Sequence, residues 1–189
     1  MNAVRILSCF SVILFSSKTV TAATAQTPLL KELAREDQDS RSGKDVKRTD
    51  LERLNLVLPL IARGALKGPE DQFDAALVLQ HTGATFCDKR LVSKSADNYL
   101  ISHYLFVSAY EAGYKDARYL VAASIDRYLS FTTGSQKYGT NRVINQETGA
   151  EELVPIDRAT PDSERVKYGV YPLAVLLKQF PEQAPPKKP

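Results

Sequence analysis

The run Asp126-Arg127-Tyr128-Leu129 sets an acid beside a base at the end of a stretch with helical spacing. Gln136-Lys137-Tyr138-Gly139-Thr140-Asn141 follows it as a compact polar turn. These residue types serve proton transfer, anion binding or a buried hydrogen-bond network. Two other segments share the pattern. Leu30, Ala34, Asp37 and Arg41 lie on one face by the i, i+4, i+7 rule, and Phe73 and Leu77 lead into Gln80 and His81. In the later helix, Val121, Ala122 and Ile125 lead into Asp126 and Arg127. Each time, an apolar stripe runs into polar side chains where another core residue is due.

Read as chemistry, the pattern offers Asp37, His81, Asp126 and Tyr138 as catalytic candidates. Arg41, Gln80, Arg127, Thr140 and Asn141 are the candidates for holding a ligand. His81 would act as a general base oriented by Asp37 or Asp126, with Arg41 and Arg127 on a carboxylate or phosphate. Tyr138 and Thr140 would add hydroxyl donors. The competing reading is a buried structural network, in which Asp37 and Arg41 form an i,i+4 ion pair and Arg127 secures the 136–141 turn. His81 and Cys87 have five residues between them, with Asp88 adjacent, and no second Cys/His pair exists, so no metal is expected. Nothing near Cys87 in sequence would lower its pKa, and His103 sits among aromatic residues as a core histidine would. There is no Gly-rich phosphate loop, no G-x-S-x-G and no H-E-x-x-H, and no cofactor is expected.

The elements that must position these residues are helical. Thr27-Pro28 opens a first helix with Leu29, Leu30, Leu33 and Ala34, and residues 42–48 form a polar loop. Thr49 or Asp50 caps a second, carrying Leu51, Leu54, Val57, Leu58 and Ile61, in which Pro59 predicts a kink or a fresh start. Gly68-Pro69-Glu70-Asp71 opens a third. Residues 97–113 and 116–131 read as a helical hairpin with tetratricopeptide- or Sel1-like proportions. Its first arm is aromatic, with Tyr99, His103, Phe106 and Tyr110 on one face. No second copy follows. Beyond residue 134, Arg142-Val143-Ile144 and Leu153-Val154-Pro155-Ile156 suggest a small hairpin around Thr148-Gly149. Two short helices follow, introduced by Thr160-Pro161 and Pro172. If the helices alternate in direction, the polar ends of the first, third and fifth meet at one end of a bundle, provided that residues 84–95 add no further helix.

The N-terminus reads as a targeting segment over residues 1–25. Arg5 precedes the apolar run Ile6–Phe15, and Ala23-Thr24-Ala25 offers a cleavage site. Cys9 lies inside that run, so no lipid anchor is expected and export to the periplasm or medium is. Cleavage leaves about 164 residues, enough for one domain over 26–180 with its own core, before a Pro- and Lys-rich tail over 181–189 expected to be disordered. Losing Arg5 and Lys18 leaves 23 basic against 22 acidic residues, a balance that gives no footing for nucleic acid or an anionic membrane. Cys87 is then alone, so no internal disulfide staples the fold.

Glu36-Asp37-Gln38-Asp39-Ser40-Arg41, Gln80-His81, Asp126-Arg127 and Gln136-Lys137-Tyr138-Gly139-Thr140 resemble, in order, the D-Q-x-x-R, Q-H, D-R and Q-x-Y-G-T-Q motifs of the DUF6624-type family of uncharacterised bacterial proteins. Asn141 stands where that family has Gln, and its Gly-Trp-Pro is absent. The stretch from His81 to Asp126 is also longer. The resemblance implies a mostly helical bacterial domain and supplies no reaction. Taken together, the expectation is a mainly α, up-and-down helical bundle with a tetratricopeptide/Sel1-like hairpin and a small C-terminal hairpin or irregular segment. The leading functional expectation is a non-enzymatic envelope protein that binds a protein or peptide through an exposed aromatic face at Tyr99, Phe106 and Tyr110. The alternative is a hydrolase or transferase, which requires the polar residues to converge on an open concavity.

Overall fold

The computed structural model describes residues 28–87, 90–145 and 147–182. The expected signal peptide, the Thr27 cap and residues 183–189 of the expected tail lie outside these. The described chain is mainly α. Helices α1 (Pro28–Arg41), α2 (Asp50–Ala62) and α3 (Pro69–Gln80) are followed by strands β1 (Ala84–Cys87) and β2 (Arg90–Ser93). The long pair α4 (Ala96–Glu111) and α5 (Ala117–Thr133) comes next, then β3 (Arg142–Ile144), β4 (Glu151–Leu153), α6 (Asp162–Lys167) and α7 (Leu173–Gln179).

Local chemistry explains most of these boundaries. At the start of α2 the Thr49 hydroxyl accepts from the Glu52 N–H (3.3 Å), and the Glu52 carboxylate accepts from the Thr49 N–H (2.8 Å), a reciprocal capping box. Pro69 takes the first position of α3, where a missing N–H costs nothing. Packing then sorts the helices. Leu30, Leu33, Val57, Leu60, Val78 and Leu79 knit α1, α2 and α3, while Ala76, Phe106, Ala109, Ala117 and Val121 knit α3, α4 and α5. Helix α3 is the hub, and its Ala75 and Ala76 let neighbours approach closely on either side. A third cluster of Ala122, Tyr138, Leu153, Ile156, Val170 and Leu176 lays the C-terminal segment on the remaining face of α5.

Four details differ from the sequence reading. Residues 84–93 form an antiparallel hairpin with Ala84 opposite Ser93 and Cys87 opposite Arg90. The Lys94 N–H donates to the Gly83 carbonyl (2.9 Å), so the chain leaves and returns at one end of the bundle and the alternation of helix directions is kept. Helix α2 runs unbroken through Pro59, because Pro59 and the Asn55 carbonyl it leaves unpaired both lie on an exposed face. The buried stripe of α2 is Arg53, Val57 and Leu60, with Leu51 turned to solvent. Pro181 and Glu182, assigned above to the tail, are tied in: the Leu153 N–H donates to the Pro181 carbonyl (2.8 Å) and the Ile156 N–H to the Glu182 carboxylate (2.8 Å). The expected C-terminal hairpin is present, with β3 antiparallel to β4 and the Asn145 side chain accepting from the Glu147 and Thr148 N–H groups in its turn.

Candidate functional site

The C-terminal ends of α1 and α3 bring Asp37 and His81 together. Asp37 is 1% exposed, and its Oδ2 lies 2.5 Å from Nδ1 of His81. A carboxylate there makes Nδ1 the protonated nitrogen, which leaves a lone pair on Nε2. Nε2 has no hydrogen-bond partner among the described residues, and the side chain remains 22% exposed. The Asp37 carboxylate is fixed from several sides. Gln38 Nε2 donates to Oδ2 (2.9 Å), and the Arg41 and Arg53 guanidiniums lie 3.7 and 3.9 Å from Oδ1. Asp50 in turn pairs with both arginines. Burial alone would raise the Asp50 carboxyl, but the two guanidiniums outweigh it and hold it below the ordinary carboxylate range.

His81 opens onto a cleft of about 240 Å³ between α2, the end of α3 and the start of α4. Leu51, Leu54 and Val78 give it an apolar wall, while Asp50, Thr82, Lys94 and Ser95 supply polar groups. An imidazole that lines a cleft, with one nitrogen oriented by a buried carboxylate and the other without a protein partner, can accept and return a proton. Among the described residues, no three His, Cys, Asp or Glu side chains gather as a metal-ligand set.

Arg127 and Gln80 lie at the same end but serve packing. Arg127 Nη1 donates to the Gln80 carbonyl (2.7 Å), placing a cation at the negative end of α3, and its guanidinium lies 5.9 Å from the Tyr99 ring centroid. Burial, with Arg41 nearby, draws the Arg127 pKa below its ordinary value. The Gln80 side chain is buried and faces the Ser102 hydroxyl (3.5 Å).

Asp126, one residue before Arg127, points elsewhere. It is fully buried and accepts five hydrogen bonds of 2.8–2.9 Å. Lys137 and Tyr138 N–H donate to Oδ1, while Gly139 N–H, Thr140 N–H and the Thr140 hydroxyl donate to Oδ2. Every lone pair of the carboxylate has a donor, so it has no capacity left for a substrate. The turn is held from behind by Arg165, fully buried, which donates to the Lys137, Tyr138 and Asp157 carbonyls. Gln136 closes it, donating to the Asn141 and Val154 carbonyls and accepting from the Asn141 N–H. Asn141 Nδ2 donates to Ser130 (2.9 Å). The Tyr138 hydroxyl donates to Glu164 (2.8 Å), and burial together with that carboxylate pushes the phenol far up, so Tyr138 stays protonated. No hydrogen bond or ion pair joins this lock to the Asp37–His81 pair among the described residues.

Comparison with protein-family models, curated proteins and solved structures finds no match. The geometry therefore stands by itself. It divides the sequence candidates: Asp37, Arg41 and His81 converge at the cleft, Gln80 and Arg127 cap α3, and Asp126, Tyr138, Thr140 and Asn141 belong to the lock. The aromatic face expected to receive a partner packs inward, with Tyr99 2% and Phe106 0% exposed. Arg53, Ser95 and Glu164 are polar residues of consequence that sequence reasoning missed, while Asp50, Gln136 and Arg165 have roles in these networks that it did not assign. Arg53 was detectable, since it precedes Val57 by four and Leu60 by seven on the buried stripe. Arg165, in a six-residue helix, gives no period to read.

Proposed function

We propose that this chain is an exported enzyme that performs acid–base chemistry on a small substrate, a hydrolase or transferase, with His81 as general base and Asp37 as its positioning residue. The observation that carries the reading is the 2.5 Å contact from a buried carboxylate to Nδ1 of a histidine that lines a cleft and whose Nε2 has no partner among the described residues. The export reading rests on Arg5, the apolar run and Ala23-Thr24-Ala25, and the kinship proposed with DUF6624-type proteins rests on the ordered motifs from Asp37 to Thr140. The inward packing of Tyr99 and Phe106 removes the feature that favoured partner binding through the helical hairpin.

The test is saturable turnover of p-nitrophenyl acetate, butyrate and phosphate by the purified protein. His81→Ala should reduce turnover of the accepted ester by about 10²–10⁴-fold. Asp37→Asn should lower kcat more than it raises KM and alter the pH–rate profile, because it replaces the carboxylate that fixes the tautomer with an amide that can also donate to Nδ1. No saturable turnover of any of the three, or turnover indifferent to His81→Ala, overturns the reading.

A further inference from the structure

We infer that Ser95 is the nucleophile of this cleft and that its substrate is an ester with a short apolar acyl group, processed through an acyl-serine intermediate; this rests on the reading of His81 as base.

Three hydroxyls lie at or beside the cleft, and their hydrogen bonding separates them. The Thr82 hydroxyl donates to the Leu79 carbonyl (2.9 Å) and accepts from Asn98 Nδ2 (2.9 Å), so both its roles are taken. Ser93 accepts from the Ser95 N–H (3.2 Å) and does not line the cleft. Ser95 occupies the N-cap of α4 with extended backbone, φ −157° and ψ 97°. A serine there ordinarily turns its hydroxyl onto the backbone N–H two or three residues on. Ser95 makes no such cap bond, and its hydroxyl has no partner among the described residues. It lines the same cleft as His81. A cap serine that forgoes its cap and lines the same cleft as an oriented imidazole is a spare hydroxyl in the cleft of a base, one that a bound substrate would bring into line with it.

The reaction balances with these groups alone. The Ser95 oxygen bonds to the acyl carbon as Nε2 of His81 takes the hydroxyl proton. The carbon–oxygen bond to the leaving alcohol then breaks, and His81 returns that proton to the alcohol. In the second half water attacks the acyl carbon, His81 takes its proton, and Ser95 leaves with the proton restored to its oxygen. The Asn98 N–H is taken by the Ser95 carbonyl (3.3 Å), which leaves the Ala96 and Asp97 N–H groups at the start of α4 as the donors for the oxyanion. The wall of Leu51, Leu54 and Val78 accepts an apolar acyl chain.

The experiment treats the whole protein with a fluorophosphonate probe and maps the adduct by peptide mass spectrometry, beside p-nitrophenyl butyrate turnover. The expected result is one adduct on Ser95, absent in Ser95→Ala and formed at least about 100-fold more slowly in His81→Ala. Thermal melts verify that each variant is folded, and the wild-type adduct map needs no variant at all. No adduct, or an adduct on another residue, overturns the role of Ser95. Ester turnover lost in His81→Ala but kept in Ser95→Ala overturns it too, while leaving His81 as a base that activates water. Turnover indifferent to both variants overturns both.

Discussion

Neighbouring residues on a helix point about 100° apart, and in α5 that angle separates two tasks. Arg127 reaches the end of α3, whereas Asp126 gathers four backbone N–H groups and a hydroxyl from residues 137–140. Removing one carboxylate strands all five donors, those of Tyr138 and Gly139 in a fully buried place. Asp126→Ala should therefore destabilise the fold by about 3–5 kcal/mol, since each unsatisfied buried group costs on the order of 1–3 kcal/mol and part of that is recovered by relaxation. Urea titration at neutral pH measures the loss. Below the lowered transition, ester turnover at the His81 cleft should stay within about twofold, because the residue holds a turn and takes no part in proton transfer.

At the scale of elements, that turn is specified twice over. Gly139 sits at φ +101°, and a Cβ built there would lie 2.6 Å from Leu176 and 2.7 Å from Ile156, both buried. Gly139→Ala combines backbone strain with overpacking and should cost about 2–4 kcal/mol, read as a lower urea midpoint at unchanged slope. The elements themselves were largely legible in the sequence, because capping and stripe signals are local. Thr49 with Glu52, Pro69, and the stripes through Leu30, Phe73, Tyr99 and Val121 place α1 to α5. The β1–β2 hairpin was not legible, since four-residue strands are too short to establish a period. The candidate residues were legible as polar interruptions of apolar stripes. Their division was not, because sequence neighbours such as Asp126 and Arg127 give no sign of which distant segment each will meet. Ser95 escaped notice for a related reason, as its spare hydroxyl is visible only once its cap bond is seen to be missing.

For the molecule as a whole, one half-buried histidine couples the packing of the long helices to acidity. His103 on α4 has Nδ1 2.9 Å from the Val121 carbonyl of α5. Burial depresses its pKa below the ordinary value, opposed by that hydrogen bond and by Asp126 and reinforced by Lys137. The unfolded chain thus takes up a proton at a higher pH than the folded one. The stability contributed by neutral His103 is complete above about pH 6.5 and is lost as pH falls through the depressed folded value. Thermal melts between pH 8 and 5 should show a decline on the acid side that is shallower in His103→Gln, with the Gln variant's relative stability improving as pH falls. An equal decline in both proteins would remove His103 as the cause.

The ties made by Pro181 and Glu182 also bear on how the protein behaves in company. Strand β4 pairs with β3 on one side, and on the other its Leu153 N–H is taken by the Pro181 carbonyl, with the Ile156 N–H just beyond held by Glu182. An uncovered strand edge is a template onto which a second chain can add. Here the protein's own backbone occupies that edge, and Arg158 paired with Glu182 sets charges beside it. A chain shortened before residue 181 would keep its helices and its cleft yet bare a sticky edge over Leu153, so the last described residues act as a guard against self-association.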